Sequence, residues 1–144
     1  MWQFAATFFY TGKLPFAPGS WGSLAALILW IFLPPFYAIQ LMIILILFCV
    51  GVISSKKMAD SMNDHDPSEV VIDEATGMGI ALFMLPHNIP VYSMAFILFR
   101  VFDIFKPSFI YRIQNLQGGW GIMLDDVLAG IFVWLICQGI LTIL

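Results

Sequence analysis

Five apolar runs, separated alternately by charged and by nearly uncharged connections, constrain this chain more than any other feature of its sequence. They cover residues 24–33, 36–53, 75–85, 91–105 and 127–144. Pro34-Pro35 stops the first, Pro86 the third and Lys106-Pro107 the fourth, because proline lacks an N–H and restricts the residue before it. Ser54-Ser55-Lys56-Lys57 ends the second. Crossing a bilayer takes about 20 apolar residues. The second and fifth runs approach that length, and the first and third do so only if flanking residues join them. The chain is 61% hydrophobic and 10% charged, against about 45–50% and about 25% for a soluble domain, so part of its solvent must be lipid. The pattern predicts an all-α, polytopic integral membrane helical bundle, a single domain over residues 1–144. About five membrane segments are expected, some of them short or re-entrant.

The charges sharpen this expectation. If each run crosses once, Lys13, Lys56, Lys57, Arg100, Lys106 and Arg112 all fall on one side, which the positive-inside rule makes cytoplasmic. All nine acids lie between Asp60 and Asp126, on or just under that same face. Acids contribute little to orientation, so their gathering points to a site. No basic stripe suggests a nucleic-acid partner. Cys49 and Cys137 lie inside apolar runs without metal-ligand spacing, and neither a disulfide nor thiol catalysis is expected. Residues 1–10 lack the basic segment and cleavage site of a signal peptide, while Trp2 and Tyr10 are interfacial residue types.

Two acidic pairs stand at helix starts, Asp73-Glu74 before the third run and Asp125-Asp126 before the fifth. A charge within a membrane helix costs about 2.5–3.5 kcal/mol on translocon scales, and like charges brought together add to that. Converging carboxylates without a Cys or His cluster favour a hard cation, and Mg2+ is the usual choice beside phosphate. The competing reading is helix capping, with Asp73 and Asp125 as caps and Glu74 and Asp126 as first-turn acids. It accounts for one pair better than for two pairs plus Asp103. Neighbours on a helix face different ways, so one member of each pair is expected to ligate the ion and the other to position water or a basic partner.

Arg100, Asp103 and Lys106 form a stripe at the end of the fourth run, suited to phosphate recognition or to snorkelling cations with a counter-ion. Residues 12–23 bring Lys13, Ser20, Ser23 and several glycines to a helix start, where free N–H groups and hydroxyls suit an anion but also serve as plain caps. Gly118-Gly119-Trp120-Gly121 permits a tight loop before Asp125. His65 reads as a solvated loop residue, and His87 lies toward the other face.

Taken together, these blocks resemble the phosphatidylglycerophosphatase A family. They are Pro15-x-Ala17-Pro18-Gly19-Ser20-x-Gly22-Ser23-Leu24 and Asp66-Pro67-x-x-Val70-Val71-Ile72-Asp73-Glu74-x-x-Gly77, followed by Phe99-Arg100-x-Phe102-Asp103-Ile104-x-Lys106-Pro107 and Gly118-Gly119-x-Gly121-Ile122-Met123-x-Asp125-Asp126-x-x-Ala129-Gly130. The resemblance implies a Mg2+-dependent lipid phosphatase of phospholipid biosynthesis. It would hydrolyse phosphatidylglycerophosphate to phosphatidylglycerol and phosphate, multi-pass in the bacterial cytoplasmic (inner) membrane with its active site on the cytoplasmic face. Asp66, Asp73, Glu74, Asp125 and Asp126 become the expected metal ligands. Asp73, Glu74, Asp103, Asp125 and Asp126 are the expected catalytic acids, and Lys13, Ser20, Ser23, Arg100 and Lys106 the phosphate-binding residues. The partner is a phospholipid in the membrane; the oligomeric state is open. Ser20 stands where the family usually has Thr, and Ser108-Phe109 departs from its usual Lys-Pro-x-Pro.

Direct attack by water and a phospho-enzyme intermediate both remain, with water favoured because the sequence lacks a haloacid-dehalogenase nucleophile motif. Two rivals complete the reading. A CDP-alcohol phosphotransferase would need an Asp-x2-Asp-Gly-x2-Ala-Arg block that this chain lacks, and a small cation transporter would place acids nearer the bilayer midplane.

Overall fold

The computed structural model describes residues 1–113 and 115–144. It contains helices α1 (Trp2–Ala6), α2 (Pro18–Phe32), α3 (Tyr37–Met62), α4 (Ile72–Leu82), α5 (Ile89–Phe105), α6 (Ser108–Ile113) and α7 (Gly119–Ile143), with a 3-10 turn at Thr11–Lys13 and no strand among the described residues. The five apolar runs become α2, α3, α4, α5 and α7.

Helix α4 is the axis of the bundle and packs on each of the other four. Its sequence explains why. Ala75, Gly77, Gly79 and Ala81 are small and buried, so neighbouring backbones and large side chains come close. The Trp30 ring of α2 lies over Gly79, and the Phe99 ring of α5 lies over Gly77.

Contacts fix the directions. Gly22 meets Val71 and Trp30 meets Gly79, so α2 runs parallel to α4. Gly130 packs on Gly77 and Trp134 Nε1 donates to the Phe83 carbonyl at 2.8 Å, so α7 is parallel as well. Gly51 of α3 lies near Ile72 and the Gln40 side chain caps the Met84 N–H at 3.3 Å, so α3 is antiparallel. The starts of α2, α4 and α7 and the ends of α3 and α5 therefore share one face of the bundle, the charged one.

Two helices, α3 with 26 residues and α7 with 25, are long and apolar enough to cross a membrane. At 1.5 Å per residue, 26 residues reach about 39 Å. The others have 15 (α2), 11 (α4) and 17 (α5) residues. Leu41, Met42, Leu45, Ile46, Val50 and Ile53 of α3 and Ile131, Leu135 and Ile143 of α7 are exposed. An apolar surface of that extent is stable against lipid rather than water.

Helix boundaries differ from the runs where packing overrides composition. Helix α3 continues through Ser54-Ser55-Lys56-Lys57 to Met62, because Ser54 and Ser55 are buried, Ser55 against Met123 of α7, and the lysines reach solvent. Helix α7 starts at Gly119, eight residues before its apolar run. The N-terminal segment buttresses the loop between α3 and α4. The Val71 N–H donates to the Ala6 carbonyl at 3.0 Å, and Gly12 fits against the Glu69 carbonyl, where a Cβ would collide.

Candidate active site

At the charged face, a cleft of about 280 Å³ opens between four helix ends and one loop. Pro18 and Gly19 of α2, Asp73 and Glu74 of α4, Arg100 and Asp103 of α5 with Lys106 just beyond it, and Asp126 of α7 line its walls, with Asp66, Pro67, Ser68 and Val70 of the loop before α4. Its placement follows from a repeated pattern. Gly77 comes four residues after Asp73, and Gly130 four after Asp126. Residues four apart share a helix face, so the glycine contact between α4 and α7 brings the acids one turn above it to the same place. Side-chain oxygens of Asp73, Asp125 and Asp126 lie within 4.8 Å of one another. All three residues are buried, at 7, 2 and 2% exposure.

The charges are unevenly satisfied. Arg100 Nη1 pairs with Asp103 Oδ2 at 2.6 Å and donates to Ser23 Oγ at 3.4 Å. Ser23 Oγ in turn donates to the Gly19 carbonyl at 2.9 Å. Lys106 Nζ pairs with Asp125 Oδ2 at 2.7 Å. Among the described residues, four buried atoms of the cleft have no hydrogen-bond partner: the acceptors Asp73 Oδ1, Glu74 Oε2 and Asp126 Oδ1, and the donor Arg100 Nε. Leaving such groups unmet normally costs about 1–3 kcal/mol each, more for charged ones.

Asp73 and Glu74 sit in the first turn of α4, outside the two helices long and apolar enough to cross a membrane. Burial raises the Asp73 carboxyl well above its ordinary value, and Glu74, Asp126 and Asp125 push the same way. Glu74 is pushed up to about 7 by burial, with Asp103 adding and Asp73 and Arg100 opposing. Burial pulls the Lys106 ammonium down, but Asp125, Asp126 and Asp103 outweigh it and hold Lys106 above its usual range.

A profile described as Phosphatidylglycerophosphatase A matches residues 4–141. The chain belongs to the phosphatidylglycerophosphatase A family. It is accordingly a phosphatase, and its two long apolar helices make it membrane-associated. Similar proteins include Phosphatidylglycerophosphatase A of Escherichia coli, 39% identical over 90% of this chain and 77% of that one. The Haemophilus influenzae protein of the same name is 39% identical over 86% of this chain and 78% of its own length. A Bacteroides thetaiotaomicron protein named "Putative phosphatidylinositol-3-phosphatase" is 41% identical over 90% of this chain and 87% of that one. No solved structure matches at a significant level.

Within this family member, most of the expected site residues share the cleft: Asp66, Asp73, Glu74, Arg100, Asp103, Lys106 and Asp126 line it. Asp125 joins through its ion pair with Lys106, and Ser23 stands behind Arg100. Asp66 is exposed at the rim, its N–H donating to Asp64 Oδ1 at 3.2 Å. Lys13 is exposed, with Nζ 5.4 Å from the Tyr10 ring centroid. Neither Lys13 nor Ser20 is among the residues lining the cleft.

Capping fails at both pairs, since the N-cap of α4 is Val71 and that of α7 is Gly118, and only a first-turn dipole role survives, for Asp73-Glu74. Asp73 and Glu74 are first-turn acids without a side-chain cap bond, whereas Asp125 and Asp126 lie well inside α7, which begins at Gly119. Ser68 lines the rim as well, and sequence reasoning passed over it. It stands in the block opened by Asp66-Pro67, whose turn-forming residues were the available signal.

Proposed function

We propose that this chain hydrolyses the terminal phosphomonoester of phosphatidylglycerophosphate to give phosphatidylglycerol and phosphate, with Mg2+ as cofactor, in phospholipid biosynthesis. The site would lie at the cytoplasmic face of a bacterial inner membrane, with α3 and α7 crossing. One observation carries the reading: buried carboxylate oxygens without donors face a buried guanidinium N–H without an acceptor across one open cleft. A divalent cation and a phosphate together satisfy both kinds of unmet group.

The residues fit the cation. The donor set is all oxygen, carboxylate oxygens of Asp73 and Asp126 lie within 4.8 Å of each other, and Asp73 Oδ1 and Asp126 Oδ1 are buried without partners among the described residues. Hard ions of this class take such ligands. When bound, Mg2+ supplies positive charge to phosphate oxygens and lowers the pKa of a coordinated water.

The chain's own residues do the rest. Arg100, braced by Asp103 and Ser23, offers Nε to a phosphate oxygen, and Lys106 adds a point charge at the same mouth. Glu74, which ionises near neutral pH, accepts the proton of the attacking water at Oε2. The water oxygen bonds to phosphorus, the phosphorus–oxygen bond to the glycerol breaks, the leaving oxygen takes up a proton from solvent, and Glu74 returns its own to solvent. The acyl chains stay in the leaflet beside the exposed apolar faces of α3 and α7.

The test is phosphate release by purified protein in detergent from phosphatidylglycerophosphate, phosphatidylinositol 3-phosphate and phosphatidic acid, with Mg2+ or with EDTA. Mg2+-dependent release, fastest from phosphatidylglycerophosphate, is expected. Equal rates in EDTA would remove the metal, and preference for the inositol lipid would move the substrate to the class named for the Bacteroides relative. CMP as product would instead indicate a phosphotransferase, and ion flux into liposomes without hydrolysis a transporter.

A further inference from the structure

The two acids of α7 are adjacent in sequence but differ in what already holds them. Asp125 has both carboxylate oxygens engaged: Oδ2 by Lys106 Nζ at 2.7 Å and Oδ1 by the backbone N–H of Asp126 at 2.9 Å. Asp126 leaves Oδ1 buried and unpartnered, and so does Asp73. Asp126 and Asp73 line the cleft and Asp125 does not. The ammonium also argues against Asp125 as a ligand, since an ion on its carboxylate would stand beside the Lys106 charge.

Lys106 is held from behind. It is the residue that ends α5, in a left-handed conformation with φ 31, a setting unfavourable for a side chain other than glycine. The Pro107 that follows cannot continue the α5 hydrogen-bond ladder. From that corner Nζ reaches Asp125 at one side while the residue lines the cleft at the other. A long flexible side chain gains position from a buried anchor.

We propose that Asp125 is a positioning residue for Lys106 and not a ligand of the divalent ion, which Asp73 and Asp126 hold. This deepens the function proposed above and rests on it. The pairing serves the substrate: Asp125 holds Lys106 at the cleft, where a phosphate oxygen becomes its second partner. Losing Asp125 should then weaken phosphate capture and leave ion binding in place.

The experiment uses the full chain in detergent. Mn2+ binding, followed by electron paramagnetic resonance without substrate, is compared in wild type, Asp125→Asn, Lys106→Met, Asp73→Asn and Asp126→Asn. Asp125→Asn and Lys106→Met should keep Mn2+ affinity within about threefold of wild type, and Asp73→Asn and Asp126→Asn should lose at least about tenfold, the scale of lost metal-site interactions. In turnover, Asp125→Asn and Lys106→Met should each raise KM for the lipid phosphomonoester more than they lower kcat, and the double variant should be no worse than either. A loss of Mn2+ binding in Asp125→Asn equal to that in Asp126→Asn overturns the assignment.

A second readout needs neither metal nor activity. In EDTA, acylation of Lys106 by an amine-directed reagent, read by mass spectrometry, should be several-fold faster in Asp125→Asn, because the ion pair protects the amine. Unchanged labelling overturns the pairing even if wild type binds no Mn2+, a result that would by itself count against the metal-dependent function instead.

Discussion

A single methyl group placed between α4 and α7 should separate stability from activity in this protein. A Cβ on Gly77 would stand 2.5 Å from the Asp126 carbonyl oxygen and 2.8 Å from two atoms of the Phe99 ring. Ordinary contacts begin near 3.5 Å, so Gly77→Ala forces the helices apart by about 1 Å. Overpacking of this kind costs about 1–3 kcal/mol, and the better helix propensity of alanine returns up to about 1 kcal/mol. The net loss of stability is therefore about 0–3 kcal/mol. The effect on chemistry is larger, because Asp126 supplies the carbonyl at the contact and Asp73 lies one turn from it, and a 1 Å misplacement of reacting groups costs about a hundredfold in rate. Gly130→Ala presses on the Gly77 carbonyl and should behave the same way. Gly139→Ala, with nothing within 4 Å of its Cβ, is the control and should leave both quantities unchanged or slightly improved. Phosphate release and thermal unfolding in one detergent decide the matter. Wild-type turnover in both Gly77→Ala and Gly130→Ala would refute the claim that this contact aligns the acids.

Other substitutions probe the groups themselves. Asp126→Asn should abolish Mg2+-dependent phosphate release while the protein still inserts in membranes; full activity would remove Asp126 from the ion. Arg100→Lys should raise KM about tenfold or more, because an ammonium cannot hold Asp103 and Ser23 and also meet phosphate as a planar fork does; unchanged kinetics would leave Arg100 a structural role. Glu74 must be ionised to accept a proton, so kcat/KM should fall on the acid side with an apparent pKa at or below about 7, and Glu74→Gln should remove that limb along with most activity. The same shift carries a sign for stability. Without metal, the native state keeps a proton on Glu74 that the unfolded chain loses above its ordinary 4.5, so stability should decline as pH rises from there through about 7. A denaturation midpoint independent of pH across that window would contradict the burial assigned to Glu74.

Much of this site was legible in the sequence because charge in an apolar chain is informative. The gathering of acids and bases beside alternate connections anticipated one charged face, and the contacts of α2, α3, α4, α5 and α7 place their charged ends together. The spacing of Arg100 and Asp103 anticipated their pairing. Helix limits were less legible. Composition ended the second run at Ile53, before Ser54-Ser55-Lys56-Lys57, where the helix in fact continues because one face stays buried. It began the last helix at Val127, although the glycines of 118–121 pack α7 from Gly119 against the Val52 carbonyl. Lys13 and Ser20 looked suited to an anion by residue type, but loop geometry, invisible in spacing, decides which side chains meet the cleft. The paired glycines four residues after Asp73 and Asp126 were present in the sequence as a packing signal, readable once the two helices were known to touch.

Anomalous scattering from crystals grown with Mn2+ addresses the central claim directly. A peak between α4 and α7, at about the 2.0–2.2 Å coordination distance of small divalent ions from Asp73 and Asp126 oxygens and beyond that distance from Asp125, is the predicted result. A cleft without a peak in Mn2+-saturated protein, or an ion held by Asp125 and Asp66 with Asp73 turned away, would contradict it.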